Sequence, residues 1–203
     1  MTAPPKTFTR EDLTDESWLD FGSLPPKLFR SHEAFDELWG LHPDTHHEVM
    51  IRGTPTPIPR YQQAYLRDYR FTGSTSKAEP EVPESLVPYL KWANALGYGE
   101  FNQLLVNWYE DGTNYIGPHA DDTRPLVKDS PIVTITLCNK GLPRKFRVRK
   151  DKEIVLDYDT LNGAVLVMGG KFQKELKHEI VKINGKKAEQ AGRRISVTLR
   201  QFA

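Results

Sequence analysis

The chain has 203 residues, of which 38% are hydrophobic and 27% charged, with a net charge of +1. That is enough for one domain with a real core and too little for two ordinary ones. No apolar run approaches a membrane span, and the start, MTAPPKTFTREDLTDESW, lacks the apolar centre of a secretory signal. One cysteine, Cys138, excludes an intramolecular disulfide and suits a reducing compartment; within PIVTITLC it reads as a small core residue. Charge is uneven along the chain. Residues 1–45 hold four Lys/Arg and nine Asp/Glu, a balance of −5, whereas residues 124–203 hold eighteen and eight, a balance of +10. The basic portion could attract a phosphate backbone, but composition alone favours a solvated face.

Residues 1–30 are Pro-rich with few apolar side chains and read as an arm rather than a core element. SHEAFDELWGL (31–41) predicts a short helix capped by Ser31, with Ala34, Phe35, Leu38 and Trp39 on one face. HHEVMI (46–51) predicts a strand, and the prolines of the following GTPTPIPR impose an extended loop. ESLVPYLKWANAL (84–96) predicts a helix that tolerates Pro88 near its first turn. From residue 101 the helical period disappears. FNQLLVNWY, PIVTITLC, KFRVR, EIVLDY, GAVLVMG, ELKHEIVKI and RRISVTLR are short β-rich runs separated by turn signals. Such spacing predicts a sandwich or jelly roll. The fold class is therefore α+β, mainly β, with an N-terminal helical layer on a C-terminal β-sandwich.

NYIGPHADDT places His119 and Asp121 two apart, so that on an extended strand both point to one side. A later strand offers His178. Two histidines and a carboxylate on one face leave the opposite face of an octahedral ion open, which suits non-haem Fe(II). Alone, a His-x-Asp pair also fits a surface loop, and His178 a half-exposed strand. Arg194, Ser196 and Arg200 share one face of RRISVTLR. Inward arginines are costly unless they meet anions, and a dicarboxylate such as 2-oxoglutarate supplies two carboxylates for their forks. Asn107 and Tyr109 alternate onto one face as further donors.

Taken together, Asn107-Trp108-Tyr109, His119-Ala120-Asp121 after YEDGTNYIGPHADD, His178 after VMGGKFQKELKH, and Arg194 with Arg200 six residues on resemble the AlkB family over roughly residues 50–203. The resemblance implies a double-stranded β-helix (jelly roll) bearing a nucleotide-recognition lid. It divides the chain into an N-terminal arm and helix (1–45), the lid and its supporting helix (46–100), and a catalytic core (101–203). It implies Fe(II) on His119, Asp121 and His178, with 2-oxoglutarate and dioxygen as co-substrates. Arg194 and Ser196 would grip the distal carboxylate, and Arg200, Asn107 and Tyr109 would orient the rest. The implied reaction is oxidative dealkylation of N-alkylated bases in DNA or RNA, such as 1-methyladenine and 3-methylcytosine.

The likeness is strongest to the duplex-DNA repair branch, whose lid carries a run like IPRYQQAYLRDYRFTG. There Tyr69 and Phe71 occupy an aromatic-x-aromatic pair whose second ring stacks on an extruded base; both also fit strand core. The chain departs from that branch at three places. Thr123, beside Asp122, stands where a base-contacting carboxylate is found. Ser196 replaces an asparagine. Arg52, before Gly53, takes the place of an apolar finger. The expected partner is methylated DNA or RNA, with no membrane, for a monomer inside the cell: nuclear in a eukaryote, otherwise cytoplasmic. A 2-oxoglutarate-dependent hydroxylase or demethylase of a protein or small molecule is the alternative, and a binding module without catalysis a third reading, since a metal site does not specify substrate. The basic stretch 140–152 (Lys140, Arg144, Lys145, Arg147, Arg149, Lys150, Lys152) is expected to track phosphates.

Overall fold

The computed structural model describes residue 5 and residues 7–29, 31–71 and 73–203. Its strands are β1 (Thr9–Asp12), β2 (Ser17–Ser23), β3 (Glu48–Ile51), β4 (Thr54–Pro57), β5 (Tyr61–Tyr65), β6 (Tyr69–Phe71), β7 (Ser74–Ser76), β8 (Ala78–Glu79), β9 (Gln103–Tyr109), β10 (Ile116–His119), β11 (Ile132–Cys138), β12 (Arg144–Lys150), β13 (Glu153–Thr160), β14 (Ala164–Gly170), β15 (Lys177–Ile180) and β16 (Arg194–Arg200). The α-helices are α1 (His32–Trp39), α2 (Val87–Asn94) and α3 (Phe172–Glu175). An eight-stranded sheet runs β1-β2-β14-β11-β16-β9-β5-β8, a four-stranded sheet runs β10-β15-β12-β13, and β3-β4 and β6-β7 are separate hairpins. This is the mainly β jelly roll that the short runs predict. Among the described residues no helix is long and apolar enough to cross a membrane.

Alternation along the strands explains how the large sheet is covered on both faces. Leu104, Val106 and Trp108 of β9 and Ile195, Val197 and Leu199 of β16 join Phe35 and Leu38 of α1 and Tyr89 and Ala93 of α2 in one core. The opposite face meets the small sheet, where Leu19, Ile132, Leu166 and Met168 pack with Phe146, Val148 and Ile180. The polar residues of β9 and β16 therefore point between the sheets, so RISVTLR is buried throughout although every second residue is polar. Ser31 caps α1, its Oγ accepting the Ala34 N–H at 3.2 Å, and Pro88 sits in the first turn of α2.

The reading of residues 1–30 as an arm needs correction. β1 and β2 extend the large sheet, and β2 pairs with β14 from Ala164↔Ser23 to Gly170↔Ser17. Trp18, Leu19 and Asp20 are buried. Asp20 can lie there because Arg10 donates to it twice, at 2.6 and 2.7 Å, and the Tyr98 hydroxyl donates at 2.6 Å. One buried acid inside SWLDFGS hides the strand from a hydropathy reading; residues 1–4, 6 and 30 of that stretch lie outside the described residues.

Candidate functional site

The two sheets converge on one cavity. β10 and β15 pair antiparallel and bring His119 directly opposite His178, with ring centroids 4.3 Å apart. The strand ends at His119, and Asp121 lies in the loop just beyond it. The donor atoms of His119, Asp121 and His178 nonetheless all fall within 4.8 Å of one another.

Each donor is held in a ligating form. His119 Nδ1 lies 2.9 Å from the Gly117 carbonyl, which fixes that nitrogen as the N–H donor and frees Nε2, 3.6 Å from Asp121 Oδ1. Burial, with the neighbouring His119 ring adding to it, pushes His178 down to about 3, so its imidazole is neutral. Burial alone would raise Asp121, but Arg200, with His119 assisting, holds its carboxyl well below the usual range. Arg200 donates to Asp121 Oδ2 from Nε at 3.0 Å and from Nη2 at 2.7 Å, and to Gln103 Oε1 at 3.1 Å. The hydroxyl of Tyr69 donates to Asp121 Oδ1 at 3.2 Å. Gln173 of α3 accepts the Asp121 N–H at 2.8 Å, tying the loop to the approach of β15. Two imidazoles, that of His178 neutral, and one ionised carboxylate make a donor set that fits Fe(II).

The inner face of the large sheet supplies the second half. Cross-strand pairing sets Thr136, Ser196, Asn107 and Gln62 in one row over β11, β16, β9 and β5. Arg194 is wholly buried. Its Nη2 donates to Thr136 Oγ1 at 2.9 Å, and its guanidinium stands 5.0 Å from the Tyr109 ring centroid. Its Nε and Nη1 have no partner among the described residues. A buried guanidinium with unused donors is expensive and fits a carboxylate.

Of the residues singled out in the sequence, His119, Asp121, His178, Asn107, Tyr109, Ser196, Arg200, Tyr69 and Phe71 all line this cavity. Phe71 of β6 meets His119 edge-on, with centroids 5.8 Å apart. Asp122 lies in the adjoining outer cleft with Phe71, Arg70 and Arg124, and Arg124 engages its carboxylate at 2.8 and 2.6 Å. Thr123 lines a different cleft, with Leu126 and Phe172. Arg52 stands outside the cavity lining, in the two-residue turn between β3 and β4 with φ +50°.

In the basic stretch 140–152, Lys140, Lys150 and Lys152 are exposed, whereas the other four cations are engaged within the protein. Arg147 is paired with Asp157 at 2.6 Å, Arg149 with Glu179 at 2.6 Å and Lys145 with Asp159 at 3.0 Å. Arg144 is buried, donating to the carbonyls of Asp111, Asn114 and Val181. Neighbouring acids on β13 and β15 supply the partners that a reading of one strand leaves out.

Among the cavity residues that escape the sequence reading are Arg60 and Gln62, both buried. Their signal is the same i, i+2 polar spacing that marks Asn107 and Tyr109, but it is masked by the prolines before Arg60.

A family model described as the 2OG-Fe(II) oxygenase superfamily matches residues 31–200. The chain is similar to the DNA oxidative demethylase ALKBH2 of Bos taurus (34% identical over 92 residues, 43% of this chain and 32% of that protein). The likeness to ALKBH2 of Mus musculus is 35% over 92 residues (44% and 38%), and to that of Homo sapiens 33% over 91 residues (43% and 34%). The match thus spans about a third of the length of these curated relatives. The solved structure of OsALKBH1 shares the fold, with a TM-score of 0.58 and 18% identity over 95% of this chain and all of that one. Fe(II), 2-oxoglutarate and dioxygen are the reagents of the matched superfamily, and the donor set and the unsatisfied Arg194 fit the first two. The chain belongs to the 2OG-Fe(II) oxygenase superfamily.

Proposed function

We propose that the chain catalyses oxidative dealkylation of N-methylated bases in DNA or RNA, of the 1-methyladenine and 3-methylcytosine kind, coupled to decarboxylation of 2-oxoglutarate. The observation that carries this is Phe71, an aromatic ring on a hairpin at the cavity mouth, set edge-on to the candidate metal ligand His119. A ring there gives an extruded base a face to stack on. The relatives named DNA oxidative demethylase support the same substrate class.

His119, Asp121 and His178 would hold Fe(II). When bound, it supplies, with 2-oxoglutarate and dioxygen, hydroxylation of an N-alkyl carbon, after which the hemiaminal collapses to aldehyde and unmodified base. Arg200 keeps Asp121 ionised and oriented, and the Tyr69 hydroxyl fixes its other oxygen. Arg194 offers its free N–H groups to the distal carboxylate of 2-oxoglutarate, with Ser196 beside it. Phe71 and the cavity wall position the base and exclude water. The chain acts as a monomer on nucleic acid within a reducing compartment, nuclear or cytoplasmic according to the cell.

The test separates stacking from chemistry. A ring contributes roughly 1–3 kcal/mol per stacked base, so Phe71→Ala should lose about tenfold or more in kcat/KM on methylated oligonucleotides. Decarboxylation without oligonucleotide should survive. A variant that melts early yet, while folded, turns over oligonucleotide like the wild type makes Phe71 a core residue and removes the support for a nucleobase substrate.

A further inference from the structure

A buried cation at the cavity wall takes no part in the scheme above. Arg60 is 2% exposed and lies just before β5 at the cavity wall. Its Nε donates to Asn107 Oδ1 at 2.9 Å, its Nη2 to Gln62 Oε1 at 3.2 Å and its Nη1 to the Tyr115 carbonyl at 3.4 Å. All three acceptors are neutral, so no carboxylate among these partners balances the charge. The contrast with Arg200, which has Asp121, is direct.

The consequence lies in the amides. A side-chain amide has an accepting end and a donating end, and fixing one fixes the other. Arg60 occupies the oxygens of both Asn107 and Gln62. The Asn107 Nδ2 is therefore turned away from Arg60, and Gln62 Nε2 is buried with no partner. Gln62, Asn107 and Ser196 stand side by side in the row across β5, β9 and β16, and all three line the cavity. Amide donors turned into the cavity beside an uncompensated guanidinium form a wall that suits an anion.

We propose that Arg60 is a positioning residue of the co-substrate pocket: by holding the oxygens of Asn107 and Gln62, it presents both amide N–H₂ groups as donors to a carboxylate of 2-oxoglutarate. This rests on the 2-oxoglutarate chemistry proposed above. The geometry assigns Gln62 as a binding residue that the family-like motifs do not mark. The charge of Arg60 selects a carboxylate over the carbonyl of an extruded base.

The test is calorimetric titration of the full chain, loaded with Mn(II), with 2-oxoglutarate and separately with a methylated oligonucleotide, alongside a thermal melt. Gln62→Glu gives Arg60 the carboxylate it lacks, so the melt should hold or rise. It also puts an oxygen where a donor stood, so 2-oxoglutarate affinity should fall roughly tenfold or more. A merely structural Gln62 does not give that opposed pair of effects. Arg60→Lys, a point donor that cannot bridge both amide oxygens, should weaken 2-oxoglutarate binding by a similar factor, and so should Gln62→Met, which removes the donor without adding charge. Oligonucleotide affinity should be unchanged in both Gln62 variants; Arg60 also faces the Phe71 ring, 5.3 Å from its centroid, so the Gln62 pair alone serves as that control. Wild-type 2-oxoglutarate affinity in whichever of these variants folds overturns the assignment, and so does a loss confined to the oligonucleotide, which would place Gln62 on the base. Wild-type protein that takes up no 2-oxoglutarate overturns the underlying chemistry, and this inference with it.

Discussion

Asp121 is gripped at both oxygens. Oδ2 receives two N–H groups of Arg200, Oδ1 receives the Tyr69 hydroxyl and faces His119, and its backbone N–H is tied to Gln173. A buried carboxylate stripped of its cation is costly, so Arg200→Ala should destabilise the metal-free protein by about 3–5 kcal/mol. Mn(II) should recover part of that loss, because the ion replaces the missing charge; urea unfolding with and without Mn(II) reads both. Arg194 makes the complementary case. Its unused donors imply that 2-oxoglutarate stabilises the fold through ligand linkage. Arg194→Ala should therefore abolish the rise in Tm caused by 2-oxoglutarate and leave the rise caused by Mn(II) alone. An undiminished 2-oxoglutarate shift in that variant contradicts the role. At this scale the metal donors were legible because i, i+2 spacing survives two residues past the end of β10. Arg60 was not, because the prolines before it mask its spacing, and the pairing of Arg147 and Arg149 was not, because Asp157 and Glu179 lie on neighbouring strands.

The two hairpins β3-β4 and β6-β7 lie in the stretch proposed as the lid, and they are joined by His47, whose Nε2 lies 3.0 Å from Ser74 Oγ, which in turn donates to the Glu48 carbonyl at 3.1 Å. Burial, then the charge of Arg60, lowers His47 below its ordinary value of 6.5, with Glu48 opposing. The folded lid thus prefers neutral imidazole. Its contribution is complete above 6.5 and is lost as the pH falls toward the folded value, because the opened lid takes the proton first. Hydrogen-exchange protection of β3 and β7 should be lower at about pH 5.5 than at about pH 7.5, and His47→Gln should flatten that difference. Equal protection at both pH values, or an undiminished difference in the variant, contradicts this. The turn between β3 and β4 carries Arg52 with the exposed Ile51 before it. A cation meets a phosphate or an open base face more readily than it fills a gap in a stack. Single-stranded or locally opened substrate should therefore be preferred, and Arg52→Ala should slow turnover of intact duplex more than of single strands.

Over the whole molecule the large sheet is covered twice, by the helices on one face and by the small sheet on the other, and that arrangement puts the polar residues of β9 and β16 between the sheets. The strands from residue 101 onward were legible because they repeat with period two. The N-terminal strands were not, because Asp20 breaks the apolar pattern and is held by Arg10 and Tyr98. Trp18 of β2 fits over Gly169, where any side chain would meet its ring, and stacks near Tyr98 at 6.3 Å. Trp18→Ala should therefore cost about 3–5 kcal/mol in denaturant unfolding, a loss no dispensable arm would give. The central claim is that one cavity joins a His119–Asp121–His178 iron centre to a lid that presents methylated bases. It is met most directly by quantifying succinate and demethylated base together, with Fe(II), 2-oxoglutarate and 1-methyladenine or 3-methylcytosine oligonucleotides, single- and double-stranded. The account predicts that succinate and repaired base accumulate in step, and that both vanish in Asp121→Ala. Succinate formed at the same rate with and without every oligonucleotide, and no base repaired, would contradict it.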